Sequence, residues 1–264
     1  MRSVTLGHYI PGNSLLHRLD PRIKLIILFL FIIALFLMDT FTGFLIFALF
    51  IGFIFISTRL PWRYFLRGLR PILYIIIFTL IVHFLFTKGG IVYWRFGPVT
   101  IEEAGVFLGS FMALRLILLV VTTLLITLTT SPISFADAIE FLLHPFRRLG
   151  VPGHEIAMMM TIALRFIPTL IEESDRIRKA QMARGADFER GNVFRRARNL
   201  VPLLVPLFVS AFRRADELAV AMEARCYRGG EGRTKMRELS VGSLDYAGLF
   251  TAGIFIAVVL LLGL

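Results

Sequence analysis

One cysteine in 264 residues, Cys226, excludes an intrachain disulfide and any metal site built from several thiolates. Acidic residues are also scarce: 18 Asp and Glu stand against 29 Lys and Arg, for a formal net charge of +11. No G-x-x-x-x-G-K-[ST] sequence occurs, so the chain has no phosphate-cradling loop and is not expected to hydrolyse ATP. HExxH and GxSxG are missing too, and the five histidines, His8, His17, His83, His144 and His154, form no pair at ligand spacing. An intramembrane enzyme is therefore left without its groups, and no catalytic residue, metal site or resident cofactor is assigned. No aromatic-interleaved basic stripe points to nucleic acid. Met1–Leu19 has no apolar run and no small-residue cleavage site, so no cleavable leader is expected.

What the chain has in excess is apolar surface. Hydrophobic residues make up 57% of it, 26 of them Phe, more than one soluble domain of this length could bury. A bilayer core of ~30 Å takes about 20 apolar residues as helix. Ile23 to Ile56 would overshoot that thickness as one helix, and Asp39-Thr40 is its only polar break, so two helices are predicted, Ile23–Met38 and Phe41–Ser57. Asp20-Pro21 marks the first start, a capping carboxylate followed by a proline whose missing N–H costs nothing there. Ile72–Phe86, extended into Arg70-Pro71, gives a third span, Ala104–Thr130 a fourth and Leu244–Leu264 a fifth. The fold class is an all-α integral membrane protein with about five spans, in three parts: 1–130, a cytoplasmic insert at 131–242, and 243–264.

Cations set the orientation. Four precede the first span, four lie between the second and third, and eighteen lie between Ser131 and Gly242, whereas only Lys88 and Arg95 fall in the loop that alternation places outside. Positive-inside counting puts the N-terminus in the cytoplasm and the C-terminus outside, in agreement with five spans. The outer loop, Lys88–Glu103, carries Gly89-Gly90, an alternating Ile91–Phe96 stretch and Gly97-Pro98, the pattern of a short β-hairpin at the membrane surface with Tyr93 and Trp94 at the interface.

The insert is predicted to be helical. Ser131-Pro132, or Ser134-x-x-Asp137, starts a short amphipathic helix that ends at Gly150. A second helix runs from Pro152-Gly153 to Arg184; its apolar stretch, Ile156–Ile171, is interrupted by Arg165 and Pro168 and is too short to span. A third joins an apolar run, Leu200–Phe212, to a polar half, Arg213–Glu223. Apolar helix surface of this kind beside the bilayer marks a partner. A shift of 41 residues lays Asp175 on Asp216, Ala180 on Ala221 and Ala183-Arg184 on Ala224-Arg225, with Gly185 answering to Cys226. Each end also reads as plain helix termination, with arginine at the negative end of the macrodipole and Gly185 or Gly229-Gly230 in the left-handed position. The paired spacing favours two equivalent binding surfaces.

Together with Gly7-x-Tyr9-Ile10-Pro11-Gly12-x-Ser14-x-Leu16-His17-x-Leu19-Asp20-Pro21-Arg22, Leu143-His144-Pro145-Phe146 and Leu164-Arg165-Phe166-Ile167-Pro168, these Ala-Arg-x motifs resemble the transmembrane T component of energy-coupling factor transporters over nearly the whole chain. The resemblance implies that Arg184 and Arg225 dock into two homologous ATP-binding subunits, which bind the ATP and Mg. It also implies that Ala183, Gly185, Ala224 and Cys226 complete the two motifs, Cys226 replacing the commoner glycine. The apolar halves, with Met159, Met160, Ile167, Leu204 and Phe208, would face a small membrane substrate-binding S component. The implied role is energy coupling in vitamin or micronutrient uptake, with the cell membrane as the location. The alternatives are a T subunit dedicated to a metal or biotin importer and a self-contained secondary transporter. The latter would need inverted repeats or a charged path, where only Arg115 lies deep in a span.

Overall fold

The structure, a computed structural model, describes residues 9–96, 99–188, 192–229 and 241–261. Gly7 of the N-terminal motif, the Gly97-Pro98 turn, Gly230 and residues 262–264 of the expected last span lie outside them. Helices α1 (Leu15–Arg18), α2 (Pro21–Leu37), α3 (Phe41–Thr58) and α4 (Trp62–Phe86) lead to a hairpin of β1 (Val92–Phe96) and β2 (Val99–Glu102). Then come α5 (Glu103–Thr129), α6 (Pro132–Leu143), a 3-10 turn (His144–Leu149), α7 (Gly153–Ala183), α8 (Val193–Ala224) and α9 (Ser243–Leu261). The chain divides into two units, one of Gly7–Ala138 with Glu238–Leu264 and the other containing Ile139–Arg237.

In the first unit the expected caps form. The Asp20 carboxylate accepts the Arg22 N–H at 2.8 Å with Pro21 in the first turn, and Thr40 accepts from the Gly43 N–H to open α3 after the Asp39 break. α4 begins ten residues before the predicted third span and continues through Pro71. Its early turns are held by packing: Phe65 meets Phe55 with ring centroids 4.8 Å apart, and a Cβ on Gly68 would come within 2.8 Å of Leu124. Further along, Gly105 and Gly109 of α5 let the backbones of α5 and α4 approach closely, the small-residue contact of membrane helices.

Phenylalanine fills the core. Phe31, Phe44, Phe47 and Phe111 are buried, and edge-to-face pairs join Phe31 to Phe47 at 5.5 Å and Phe44 to Phe111 at 4.8 Å. The hairpin pairs antiparallel, Trp94 with Ile101 and Phe96 with Val99, with an irregularity between Val92 and Trp94. Both Tyr93 and Trp94 are exposed, and the Glu102 carboxylate ties the strand end back to the Gly89 N–H.

The N-terminal motif fastens the bundle. The ring of His17 bridges the Ser14 hydroxyl at 2.7 Å and the Ile10 carbonyl at 3.0 Å, and the Ile10 N–H reaches the Leu128 carbonyl at 2.9 Å. Lys24, only 2% exposed, donates to the Thr129 carbonyl at 3.0 Å. One Asp245 oxygen accepts the Gly242 N–H at 2.8 Å at the start of α9, and the other accepts the Asp20 N–H at 2.6 Å, so the starts of α2 and α9 share one buried carboxylate. Arg115 is paired inside the bundle. Its guanidinium donates to the Met38 carbonyl at the end of α2 at 2.6 Å, lies 3.8 Å from Asp39 and sits over the Phe36, Phe44 and Phe111 rings.

Four described helices, α3, α4, α5 and α7, are long and apolar enough to cross a membrane, with α9 shorter. The predicted first span corresponds to α2, of 17 residues. As predicted, α7 is one helix through Arg165 and Pro168, 31 residues long. The sequence reading took its apolar stretch, Ile156–Ile171, as too short to span, whereas by length and composition the whole helix could cross a membrane.

Candidate partner-docking site

The second unit is organised around α7 and α8. α6 starts at Ser131, whose hydroxyl oxygen accepts the Ser134 N–H at 3.2 Å, rather than at Ser134. Beyond the 3-10 turn, Gly150 reverses the chain at φ 85° and α7 follows. His154 near the start of α7 bonds Glu140 at 3.0 Å through Nδ1 and approaches the Tyr227 hydroxyl, just past the end of α8, at 3.4 Å through Nε2. At the other extremity Asn199 of α8 donates to the Asp187 carbonyl beyond the end of α7 at 2.5 Å. Between them Arg214 of α8 donates to Glu173 of α7 at 2.5 Å, both half-buried. These three contacts define an antiparallel pair.

Glu173 and Arg214 are themselves 41 residues apart, so the two copies of the repeat cross at equivalent positions. Each lies eleven residues before the arginine of its own motif. At ~1.5 Å per residue both arginines stand about 16 Å from the crossing, at opposite ends of the pair.

The two ends also close alike. After α7 the Gly185 N–H bonds the Met182 carbonyl and the Ala186 N–H the Gln181 carbonyl, both at 3.0 Å. After α8 the Cys226 N–H bonds the Glu223 carbonyl at 2.8 Å and the Tyr227 N–H the Met222 carbonyl at 3.0 Å. This is the same left-handed closure, with φ 87° at Gly185 and 56° at Cys226. Ala183, Arg184, Gly185, Ala224, Arg225 and Cys226 are all exposed, and among the described residues neither guanidinium has a hydrogen-bond or ion-pair partner. Each motif therefore presents one free, permanently charged fork at a helix end, suited to gripping a carboxylate.

The apolar halves lie partly open. Met159 is exposed and Met160 and Ile167 half-buried on α7. On α8, Leu200, Leu204, Phe208 and Phe212 recur every four residues, all exposed, as one apolar stripe. Leu200 and Phe212 extend the surface predicted from Leu204 and Phe208. Sequence reasoning missed the Glu173–Arg214 pair, although the 41-residue shift superposes those two residues and their opposite charges were the available signal.

The chain matches the family described as cobalt transport protein (CbiQ) over residues 12–236. It is 58% identical over 254 residues to a protein of Thermosediminibacter oceani, covering 96% of each chain. It is 52% identical to a protein of Ruminiclostridium cellulolyticum, covering 93% of this chain and 91% of the relative, and 52% identical to one of Bacillus subtilis, covering 90% of each. All three are named energy-coupling factor transporter transmembrane protein EcfT.

Proposed function

The chain belongs to the CbiQ/EcfT family of transmembrane components of energy-coupling factor transporters, membrane proteins that work within a multi-subunit assembly, and from that membership we propose that it is the non-catalytic coupling subunit of an ATP-driven importer. Arg184 and Arg225 each seat in one of two homologous ATP-binding subunits, which hold the ATP and Mg and perform the hydrolysis. Closure of that pair moves both helix ends. α7 and α8 carry the motion to the S component through Met159, Met160, Ile167, Leu204 and Phe208, and the S component releases a vitamin or other micronutrient. Membrane spans frame a cytoplasmic insert at 131–242, with the N-terminus inside and the C-terminus outside.

The observation that carries this reading is the equivalence of the two helix ends: same motif, same backbone closure, same distance from the crossing, and neither guanidinium partnered among the described residues. Replacement of either arginine by alanine removes a buried ionic contact at one interface, at a cost of about 2–5 kcal/mol, because the partner's charge is left unpaired. Each single variant should retain its other ATPase and lose most uptake, and the double variant should fail to assemble. Plain helix termination predicts a loss of only ~0.3–1 kcal/mol and full assembly. Co-purification of both ATPases at normal yield with the double alanine variant would exclude the coupling role. The cobalt in the family's description favours a second reading, a module dedicated to a metal. Recovery of several different S components with the tagged chain supports the shared module, and recovery of one metal-specific component supports the dedicated one.

A further inference from the structure

The first turns of α4 carry a second concentration of positive charge, far in sequence from the two docking motifs. Arg63, Arg67 and Arg70 recur at helical spacing and fall within about 60° of one another around the axis. All three are exposed, and among the described residues none has a hydrogen-bond or ion-pair partner; Arg67 lies over the Tyr64 ring at 5.8 Å. No acidic residue occurs between Asp39 and Glu102, so the neighbouring sequence supplies no counter-charge.

The opposite side of the same turns is the packed one. Phe65 meets Phe55, Gly68 is pressed against Leu124, and the buried Ile76 continues that face. The arginines therefore point away from the bundle. Followed along the helix, their own face becomes apolar: Tyr74, Ile77, Phe78 and Ile81 succeed Arg70, with Tyr74 78% exposed. One outward face that changes from arginine to aromatic and aliphatic within a turn marks the boundary between headgroups and hydrocarbon. Trp62 and Tyr64, both exposed, flank the arginines with the residue types that settle at that boundary.

We propose that Arg63, Arg67 and Arg70 form a binding site for the phosphate headgroups of anionic phospholipid where α4 enters the bilayer. An acidic protein surface would supply similar charge. Lipid is favoured because the face runs without a break into an exposed apolar stripe that a bilayer covers. The site lies within the membrane unit and does not depend on the coupling role of Arg184 and Arg225.

The test uses the full chain in lipid nanodiscs, with Trp94→Phe leaving Trp62 as the only tryptophan. Phosphatidylglycerol or phosphatidylcholine brominated near the top of its chains is added at low mole fraction, and quenching of Trp62 is followed. Brominated phosphatidylglycerol should quench at roughly fivefold lower mole fraction or better, and this preference should shrink as salt is raised. The triple variant R63Q/R67Q/R70Q should treat the two lipids alike, whereas R63K/R67K/R70K, which keeps the charge, and R147Q/R148Q, which alters cations elsewhere, should keep most of the preference. Equal quenching by both lipids in the unmodified face, persistence of the preference in the glutamine variant, or its loss in the lysine variant would overturn the proposal. So would abolition of the preference by millimolar inorganic phosphate, which would make this a site for free phosphate. Loss of a protein subunit from the purified complex of the glutamine variant, without any lipid preference in the parent, would assign the face to a protein partner instead.

Discussion

Cys226 holds a backbone conformation that its counterpart, Gly185, adopts freely, and the pair gives the repeat a test at the scale of one side chain. The left-handed region costs a non-glycine residue roughly 1–2 kcal/mol, while glycine gives back about 0.5–1 kcal/mol in chain entropy. Cys226→Gly should therefore leave stability unchanged or raise it by up to about 1.5 kcal/mol, and leave coupling intact. The converse change is cleanly conformational, because nothing lies within 4 Å of a Cβ built on Gly185. Gly185→Ala should cost about 1 kcal/mol, and Gly185→Val more, since a β-branched side chain is least at ease there. Thermal melts in detergent would check both directions; a Cys226→Gly variant clearly less stable than its parent would mean that the thiol makes a contact beyond the closure. Arg184 and Arg225 were legible because their identity and spacing are local facts. Asp245 was not: its meaning lies in the Asp20 N–H, 225 residues away in the chain, and no pattern within one segment announces such a contact.

At the scale of elements, the proposed function gives α8 two interfaces, the exposed apolar stripe and the Arg225 end, and substitution in the stripe tests one without the other. Leu204→Glu or Phe208→Glu places a charge on an apolar surface far from Arg225, so capture of the S component should fall at least about tenfold while both ATPases remain bound, burial of one large apolar side chain being worth ~1.5–3 kcal/mol. Co-purification from membranes reads both outcomes, and unchanged binding of every partner would mark the stripe as lipid-covered. Both limits of α7 and the end of α8 followed from the sequence closely, because glycine, alanine and charge periodicity mark helix ends in any environment; α8 begins at Val193, seven residues before the predicted apolar run from Leu200. Proline misled at one place, the third span, which was expected to begin at Arg70-Pro71 although Pro71 sits inside α4. Pro168, Pro202 and Pro206 were read within their helices and do sit inside α7 and α8. A lost hydrogen bond is tolerable where neighbouring turns are gripped from the side, as Phe65 and Gly68 are, and that grip belongs to tertiary packing. The hairpin, by contrast, was readable from alternation bounded by glycines, and its register and irregularity were not.

For the whole molecule, length admits more than one set of membrane-crossing helices, and the positive-inside rule favours the set that keeps α7 inside. α7 is long enough to span, yet its most apolar part carries Arg165 and its second half carries Glu172, Glu173, Asp175, Arg176, Arg178 and Lys179. If it did cross after α5, twelve of the eighteen cations between Ser131 and Gly242 would follow it to the outer side, against the positive-inside rule. With α7 inside, α2, α3, α4, α5 and α9 form five spans, and the shared carboxylate of Asp245 links the starts of the first and last of them on one side of the membrane. The Lys179 position and a tag after the last helix distinguish the arrangements, with Lys88 and Val258 as references. The exposed thiol of Cys226 is first removed as Cys226→Ser, and single cysteines are then placed at Lys88, Lys179 and Val258. In intact cells an impermeant maleimide should label the Lys88 position, leave the Lys179 position untouched until the membrane is opened, and reach a tag fused after the last helix from outside, with the Val258 position shielded by lipid in both conditions. Outside labelling at Lys179 with a tag accessible only from the cytoplasm would make α7 a sixth span and place Arg184 out of reach of any cytoplasmic ATPase, so the same measurements that fix the orientation also bear on the coupling role.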